Sequence, residues 1–283
     1  MANTGGESVT ITLSLFYVMQ QIKFILWIIA IILITLLAAR HVLGDQYLPL
    51  AIVSYLFTWI FFSTVLFFII VSLLRDKYLI IVWFTLTCLM GIKIFPTLPP
   101  FSTSTPPENT FTVMTYSLSQ KNEDVPGIIT VIRSESPDIV AVQELNSKTR
   151  QGLIDYLTDN YPYHAFSSSN ETCSICGEGI ISRYPVRKVS QLSIFEVDLP
   201  DGTLTIFNLH VAPPYDWHEQ RFHLLRSFQG LQYTDKPFLL LGDFNLTDQS
   251  ENYHMIPVGL TDSFLDSGSG FGFTYPTMDL YFS

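Results

Sequence analysis

The stretch from Phe238 to Asn245 places polar side chains directly after an apolar segment. Four apolar residues, Phe238–Leu241, predict a strand buried on both faces, and Gly242 interrupts the pattern before Asp243 and Asn245. Residues two apart in an extended chain point to the same side. The strand therefore presents a carboxylate and an amide together, which suits a site that holds a phosphate and a nucleophilic water. A lone Asp-x-Asn is more often a turn, but Gly-Asp-Phe-Asn after an apolar strand is more specific.

Three further polar residues lie at predicted strands. Glu144 closes Ile-Val-Ala-Val-Gln-Glu, His210 closes Leu-Thr-Ile-Phe-Asn-Leu-His, and Asp279 lies in Thr-Met-Asp-Leu-Tyr-Phe. Taken singly, Glu144 could be a solvated strand terminus and His210 a satisfied core histidine. Together with Asp243 and Asn245 they supply a ligand for a hard cation, an imidazole with a tunable charge, and two groups for a water or a phosphate.

The elements that must position these residues alternate along the chain from Phe111 onward. Strands are predicted at 111–116, 138–144, 179–185, 191–198, 204–210 and 238–241, and helices at 124–134, 148–158 and 217–229. Many strands with interspersed helices predict an α/β layered domain.

Composition divides the chain into two parts. The chain is 48% hydrophobic and only 14% charged, and its first 110 residues are nearly free of charge. From Phe111 onward, 21 Asp or Glu face 10 Lys or Arg, a balance of −11. An acidic domain repels polyanions, so a long nucleic acid is an awkward substrate unless a basic groove or bound cations compensate.

The apolar part predicts three membrane-spanning helices, at 24–39, 46–74 and 78–95. They follow a tail at 1–23 and precede a linker rich in Pro, Ser and Thr at 96–110 and a domain at 111–283. Buried helices of a soluble protein are the alternative, and no cleavage site of a signal peptide precedes the spans. The sequence therefore predicts a multi-pass integral membrane protein.

The orientation of the spans rests on five basic residues. Lys23, Arg75 and Lys77 lie on one side of the predicted membrane, and Arg40 and Lys93 lie on the other. Since basic residues concentrate on the cytoplasmic side, three against two predict an N-terminus inside and an acidic domain outside the cytoplasm.

The three cysteines exclude a four-cysteine zinc site. Cys88 lies in an apolar segment, whereas Cys173 and Cys176 form a lone Cys-x-x-Cys with no second pair. An exported domain permits a local disulfide between Cys173 and Cys176, and two free thiols are the alternative.

The order of the motifs resembles the endonuclease/exonuclease/phosphatase family, in a membrane-bound branch, over about residues 111 to 283. The resemblance implies a four-layer α/β sandwich, two packed sheets with helices outside, that uses Mg²⁺, or Mn²⁺ in its place, for the attack of water on phosphorus. The matching motifs are Met-Thr-Tyr-Ser117, Pro-Asp-Ile-Val-Ala-Val-Gln-Glu144, Gly-Ile-Ile-Ser-Arg-Tyr-Pro185, Phe-Asn-Leu-His210, Leu-Gly-Asp-Phe-Asn245, Phe-Thr-Tyr-Pro276 and Met-Asp-Leu-Tyr281.

The resemblance also implies a role for each matching residue. Glu144 would bind the metal, and Asp243 with Asn245 would position the water and the phosphate. His210 would bind or protonate a phosphate oxygen, and Asp279 would orient a second histidine. Metal and donors are needed because phosphoryl transfer is mainly positioning and neutralisation of charge.

Two departures from the family pattern affect the expected activity. Ser117 stands near the metal where the family usually has Asn. The family's Ser-Asp-His, which follows the Asp279 motif by about twenty residues, does not occur before Ser283. We therefore expect a domain without its last strand, in which Asp279 has no partner histidine and hydrolysis is weak.

These observations predict a membrane-anchored, metal-dependent phosphoesterase that hydrolyses phosphodiesters or phosphomonoesters. Its expected partners are the lipid bilayer and a phosphate ester that is lipid-linked or small. A nuclease of the same fold is one alternative, disfavoured by the acidic balance. A catalytically inactive, membrane-tethered domain is the other.

Overall fold

A computed structural model describes residues 4–98, 110–168, 177–190, 192–232, 234–268, 272 and 274, with side chains from residue 14 onward. The chain divides into two compact units. The first, which we call the membrane unit, comprises 1–104, 247–254 and 258–283, and the second, the sandwich unit, comprises 105–246 and 255–257. Most of the predicted linker lies outside the described residues, and the predicted domain limits stay predictions.

Four helices and a short turn form the N-terminal part of the membrane unit. They are α1 (Thr4–Leu43), α2 (Leu48–Tyr55), α3 (Phe57–Leu74), α4 (Lys77–Ile94) and a 3-10 turn (Phe95–Thr97). Three stretches are long and apolar enough to cross a membrane, namely Ser14–Leu43, Phe57–Leu74 and Lys77–Ile94. The prediction of three candidate spans is confirmed.

The helix limits differ from the sequence prediction in two places. The charge-free segment 46–74 is two helices rather than one, because the backbone at Leu56 leaves the helical region (φ −95°, ψ 9°). The predicted tail 1–23 is helical from Thr4, since no glycine or proline follows Gly6 before Gly44.

An ion pair joins α1 to the start of α4. Lys23 Nζ of α1 lies 3.3 Å from a carboxylate oxygen of Asp76. The same carboxylate accepts hydrogen bonds from the N–H groups of Tyr78 and Leu79, and thereby caps the start of α4. The pair joins the first and last of the candidate spans at this end.

The opposite end of these helices holds a polar group with a buried centre that we call the Arg40 cluster: Arg40, Asp45, Ser54, Gln249 and Glu251. Asp45 and Ser54 are 4% and 1% exposed. Asp45 accepts hydrogen bonds from Arg40 Nε (3.2 Å), Ser54 Oγ (2.6 Å) and Glu251 N (2.7 Å). Arg40 also donates to the carbonyl of Gln249. Residues 249–251 are therefore fixed on the helices by charge as well as by packing.

Two four-stranded sheets form the sandwich unit. The first sheet has the order β1-β2-β4-β3, with β1 (Val113–Ser117), β2 (Ile139–Leu145), β3 (Tyr163–Phe166) and β4 (Gly177–Ser182). The second has the order β5-β6-β7-β8, with β5 (Val186–Lys188), β6 (Ile194–Leu199), β7 (Gly202–His210) and β8 (Phe238–Asp243). The pairs β1–β2 and β7–β8 are parallel and the others antiparallel. The sequence did not predict β3 and β5.

Asp and Asn caps begin the helices of this part of the chain. Asp124 caps α5 (Val125–Glu135), Asn146 caps α6 (Ser147–Leu157), and Asp216 caps α7 (Trp217–Leu231). In the membrane unit Asp262 caps α8 (Ser263–Ser267), which follows a 3-10 turn at Glu251–Met255. Each cap accepts hydrogen bonds from N–H groups that the helix leaves unpaired.

Three apolar layers hold the sheets and helices together. Ile139, Ala141 and Ile180 of the first sheet pack between the sheets against Phe195 and Ile206 of the second. The other face of the first sheet packs on α5 and α6, and the other face of the second packs on α7. The order helices, sheet, sheet, helix confirms the predicted four-layer α/β sandwich.

Candidate active site

The ends of β7 and β8 place His210 and Asp243 side by side. The two residues are partners in the parallel register, and Val211 N donates to the carbonyl of Asp243 at 2.9 Å. Leu239 and Leu241 pack between the sheets, and Asp243 continues their alternation on β8. The carboxylate therefore emerges on the inner side of the sandwich, as the two-residue period predicts.

Gly242 is required by the close approach of β7. Its φ is +126°, and a Cβ at this position would lie 2.0 Å from the carbonyl oxygen of Leu209. A side chain would both strain the backbone and collide with main-chain atoms that cannot move away. The break in the apolar pattern thus marks the point where two strands touch just before the polar residues.

A β-bulge brings Glu144 to the same place. The register of β2 against β4 passes from Val142↔Gly179 to Leu145↔Gly177, so Gln143 and Glu144 face one residue. Glu144 has φ +55°. Simple alternation would point Glu144 toward α5 and α6, like Val142, but Leu145 takes that side instead. Glu144 thereby reaches β7.

Glu144, His210 and Asp243 form a compact group of possible ligands. One ligand atom from each lies within 4.8 Å of the others, and Glu144 Oε1 is 3.5 Å from His210 Nε2. The second carboxylate oxygen of Glu144 accepts a hydrogen bond from Gln120 N at 3.1 Å. Two carboxylates and an imidazole fit a divalent cation such as Mg²⁺ or Mn²⁺, which prefer oxygen donors.

Asn245 is locked to the strand ends by hydrogen bonds. Its φ is +48°, and its N–H donates to Asp243 Oδ1 at 3.0 Å. Its Nδ2 donates to the carbonyl of Val211 (2.8 Å), and its own carbonyl accepts from Gln220 Nε2 (2.8 Å). These hydrogen bonds fix the side chain of Asn245 in one orientation beside Asp243.

The remaining predicted site residues are not part of the compact group. Ser117 is exposed at the end of β1 and pairs in register with Gln143, one residue before Glu144. Asp279, Cys173 and Cys176 lie outside the described residues. The roles of Ser117 and Asp279 and the predicted disulfide stay predictions.

Sequence reasoning missed a hydrogen-bonded group that we call the amide cluster: the buried amides Gln143 and Asn208 with the more exposed Thr115. Gln143 and Asn208 are fully buried, and Gln143 Nε2 donates to Asn208 Oδ1 at 2.6 Å and to Thr115 Oγ1 at 3.1 Å. The available signal was an amide in each of two apolar strands, one residue before Glu144 and two before His210.

Two titratable groups of the first sheet have pKa values shifted toward their neutral forms. Burial, aided by the charge of Asp124, raises the pKa of the Tyr116 phenol. Burial, aided by the charge of Arg150, lowers the pKa of His164.

The fold and the site together define a class, an α/β sandwich with acidic and histidine side chains at adjoining strand ends. The sequence model of the endonuclease/exonuclease/phosphatase family matches residues 112–280. The match covers more than half of the chain, and the chain belongs to this family. Enzymes of the family hydrolyse phosphodiester bonds.

Several solved structures are similar to this chain. TDP2 of Caenorhabditis elegans shares 18% identity over 54% of this chain and 53% of its own, with a TM-score of 0.47. Humanized D. rerio TDP2 shares 17% over 54% and 70%, with a TM-score of 0.45. A family protein of Beutenbergia cavernae shares 21% over 51% and 52%, with a TM-score of 0.41. No curated protein matches.

Proposed function

We propose that this protein is a membrane-anchored phosphoesterase that depends on a divalent cation. The supporting observation is the convergence of Glu144, His210 and Asp243 within 4.8 Å of one another at the ends of β2, β7 and β8. The three candidate spans supply the anchor. The acidic balance of the domain favours a small or lipid-linked phosphate ester over a long nucleic acid.

Each residue has a distinct part in this proposal. Glu144 and Asp243 would hold Mg²⁺ or Mn²⁺, with Ser117 beside them, and the cation would neutralise charge on the phosphate. Asp243 and Asn245 orient the attacking water and a phosphate oxygen, because their side chains are fixed on adjoining backbone. His210 donates a hydrogen bond or a proton to the phosphate. Asp279 would have the role that the family resemblance implies, which is to orient a second histidine.

Hydrolysis by the full-length protein in detergent tests this function. We expect release of nitrophenol from bis(p-nitrophenyl) phosphate or from p-nitrophenyl phosphate with Mg²⁺ or Mn²⁺, and none after EDTA. Cleavage of neither ester, with either metal, would contradict a phosphoesterase.

Assays with two natural substrate classes, phospholipids and DNA, then distinguish a lipid phosphoesterase from a nuclease. Release of a phosphorylated headgroup from vesicles of anionic phospholipid would support a lipid-linked substrate. Nicking of a supercoiled plasmid at a higher rate than either small ester would instead identify a nuclease of the same fold.

The proposal includes an extracytoplasmic domain. Lys23 and Asp76 pair at one end of the membrane unit, beside Arg75 and Lys77, whereas Arg40 lies at the other. Alkaline phosphatase fused after Thr110 should be active, and β-galactosidase at the same position should be inactive. The reverse pattern would place the domain in the cytoplasm.

A further inference from the structure

The bulge that turns Glu144 toward β7 is held from the opposite sheet. Val142 and Gly179 form the last regular pair before the register shifts. Asn208 Nδ2 donates to the carbonyls of both residues, at 3.1 and 3.0 Å. A single side chain of the second sheet thus donates hydrogen bonds to β2, which contains the bulge, and to its neighbour β4.

The same carboxamide also holds the residue inside the bulge. Its Oδ1 accepts a hydrogen bond from Gln143 Nε2 at 2.6 Å. The carboxamide of Gln143 is also within hydrogen-bond distance of the Thr115 hydroxyl on β1. Asn208 and Gln143 are fully buried. Because buried polar groups without partners are costly, this arrangement tolerates few other positions of the bulge.

We infer that Asn208 is a positioning residue for the candidate active site. On β7, Leu204 and Ile206 pack between the sheets, and Asn208 and His210 continue this face. One strand therefore carries both the carboxamide that fixes the bulge and the imidazole that Glu144 approaches at 3.5 Å. The amide cluster sets the separation of Glu144 from His210 and Asp243 without touching a substrate.

The choice of neutral amides has a chemical reason. A charged side chain at position 208 would act directly on the two carboxylates and the imidazole. An amide fixes the backbone by hydrogen bonds and leaves the charge of the site to its ligands. Groups that orient metal ligands in this way typically change metal affinity about 10–100-fold when they are removed.

The test compares Asn208→Ala with Thr205→Ala in the full-length protein in detergent. Thr205 is a matched control because it lies on the same strand, is 3% exposed, and contacts Thr234 with its hydroxyl on the outer face. Binding of Mn²⁺ is measured by calorimetry, and amide hydrogen exchange is measured for the peptide 139–145.

We expect Asn208→Ala to weaken Mn²⁺ binding about 10–100-fold and to speed exchange across the bulge. Thr205→Ala should change neither, although both variants lose thermal stability. Gln143→Met removes only the amide and keeps the length of the side chain, so it supplies the same comparison, with a smaller effect, if Asn208→Ala does not fold.

Unchanged exchange and Mn²⁺ affinity in Asn208→Ala, or equal losses in Thr205→Ala, would overturn the positioning role. The metal readout rests on the proposed function, whereas the exchange readout does not. A wild-type protein that binds no Mn²⁺ contradicts the proposed metal centre, and the exchange comparison then decides the role of Asn208 alone.

Discussion

The Arg40 cluster and the amide cluster bury polar groups by different means. In the membrane unit, Arg40 and Asp45 form a buried ion pair that also holds the backbone at Gln249 and Glu251. In the sandwich unit, the amide cluster makes a comparable set of contacts with no formal charge. A charged pair holds residues 249–251 on the helices of the membrane unit, whereas neutral amides fix the backbone next to the ionisable residues of the candidate site.

The largest effect should come from the site itself. Asp243→Asn keeps the shape of the side chain and an acceptor for Asn245 N, but it removes the charge that the water and the cation require. We expect hydrolysis to fall about 10²–10⁴-fold with little change in the melting temperature. Initial rates with bis(p-nitrophenyl) phosphate, alongside thermal unfolding, measure both quantities.

Two variants sharpen this result. Glu144→Gln should lower activity and raise the Mg²⁺ concentration needed for half-maximal rate. Asp201→Asn, at the exposed turn between β6 and β7, should behave like the wild type. Near-full activity in Asp243→Asn would place the site elsewhere.

The second effect should be on stability and not on chemistry. Arg40→Met leaves the carboxylate of Asp45 buried without its partner, a change that typically costs about 3–5 kcal/mol in a fully buried pair. Because Arg40 is 22% exposed and solvent screens part of the charge, we expect a cost below that range, about 2–3 kcal/mol. Unfolding of the detergent-solubilised protein by SDS measures it.

The double variant Arg40→Met with Asp45→Asn tests whether the ion pair, rather than packing, stabilises the Arg40 cluster. Removing both charges should cost less than the sum of the single variants, because no unpaired charge then remains. Strictly additive costs would show that packing, and not the ion pair, holds the Arg40 cluster.

The smallest effect belongs to a surface pair on the sandwich unit, in which Lys236 is 43% and Glu196 15% exposed. Hydrogen bonds from Lys236, above all, and Arg187 hold the pKa of Glu196 below its usual 4.5. A lowered folded-state pKa adds stability above the unfolded pKa, which is lost as pH falls through the folded value. Lys236→Met should therefore cost below about 1 kcal/mol at pH 7, and nothing in strong acid. Urea unfolding at both pH values checks this, and a pH-independent cost would contradict it.

The sequence predicted those parts of the site that depend on local periodicity. The inner faces of β7 and β8 follow from alternation, so the positions of His210 and Asp243 at two strand ends already indicated that they belong to one site. Gly242 was visible in the sequence as a break in an apolar strand. The structure gives the reason, because a side chain there would collide with the backbone of Leu209.

The path of Glu144 could not be predicted in the same way. Glu144 reaches His210 only through a bulge whose register is fixed by Asn208, a residue far along the chain on the opposite sheet. Likewise, the end of α2 at Leu56 interrupts a segment without charge, glycine or proline at that point. The bulge depends on tertiary contacts, which a single-sequence pattern does not contain, and the sequence has no local signal for the break at Leu56.

The three candidate spans differ in length relative to the hydrocarbon core of a bilayer. With 18 residues each, α3 and α4 extend about 27 Å, slightly less than a typical hydrocarbon core of about 30 Å. The apolar stretch Ser14–Leu43 has 30 residues and extends about 45 Å. Since Lys23 is paired with Asp76, the surplus lies at the N-terminal end of α1. In a bilayer that these helices crossed, α3 and α4 would suit a thin hydrocarbon core, and residues 14–23 of α1 would extend beyond the Lys23–Asp76 pair.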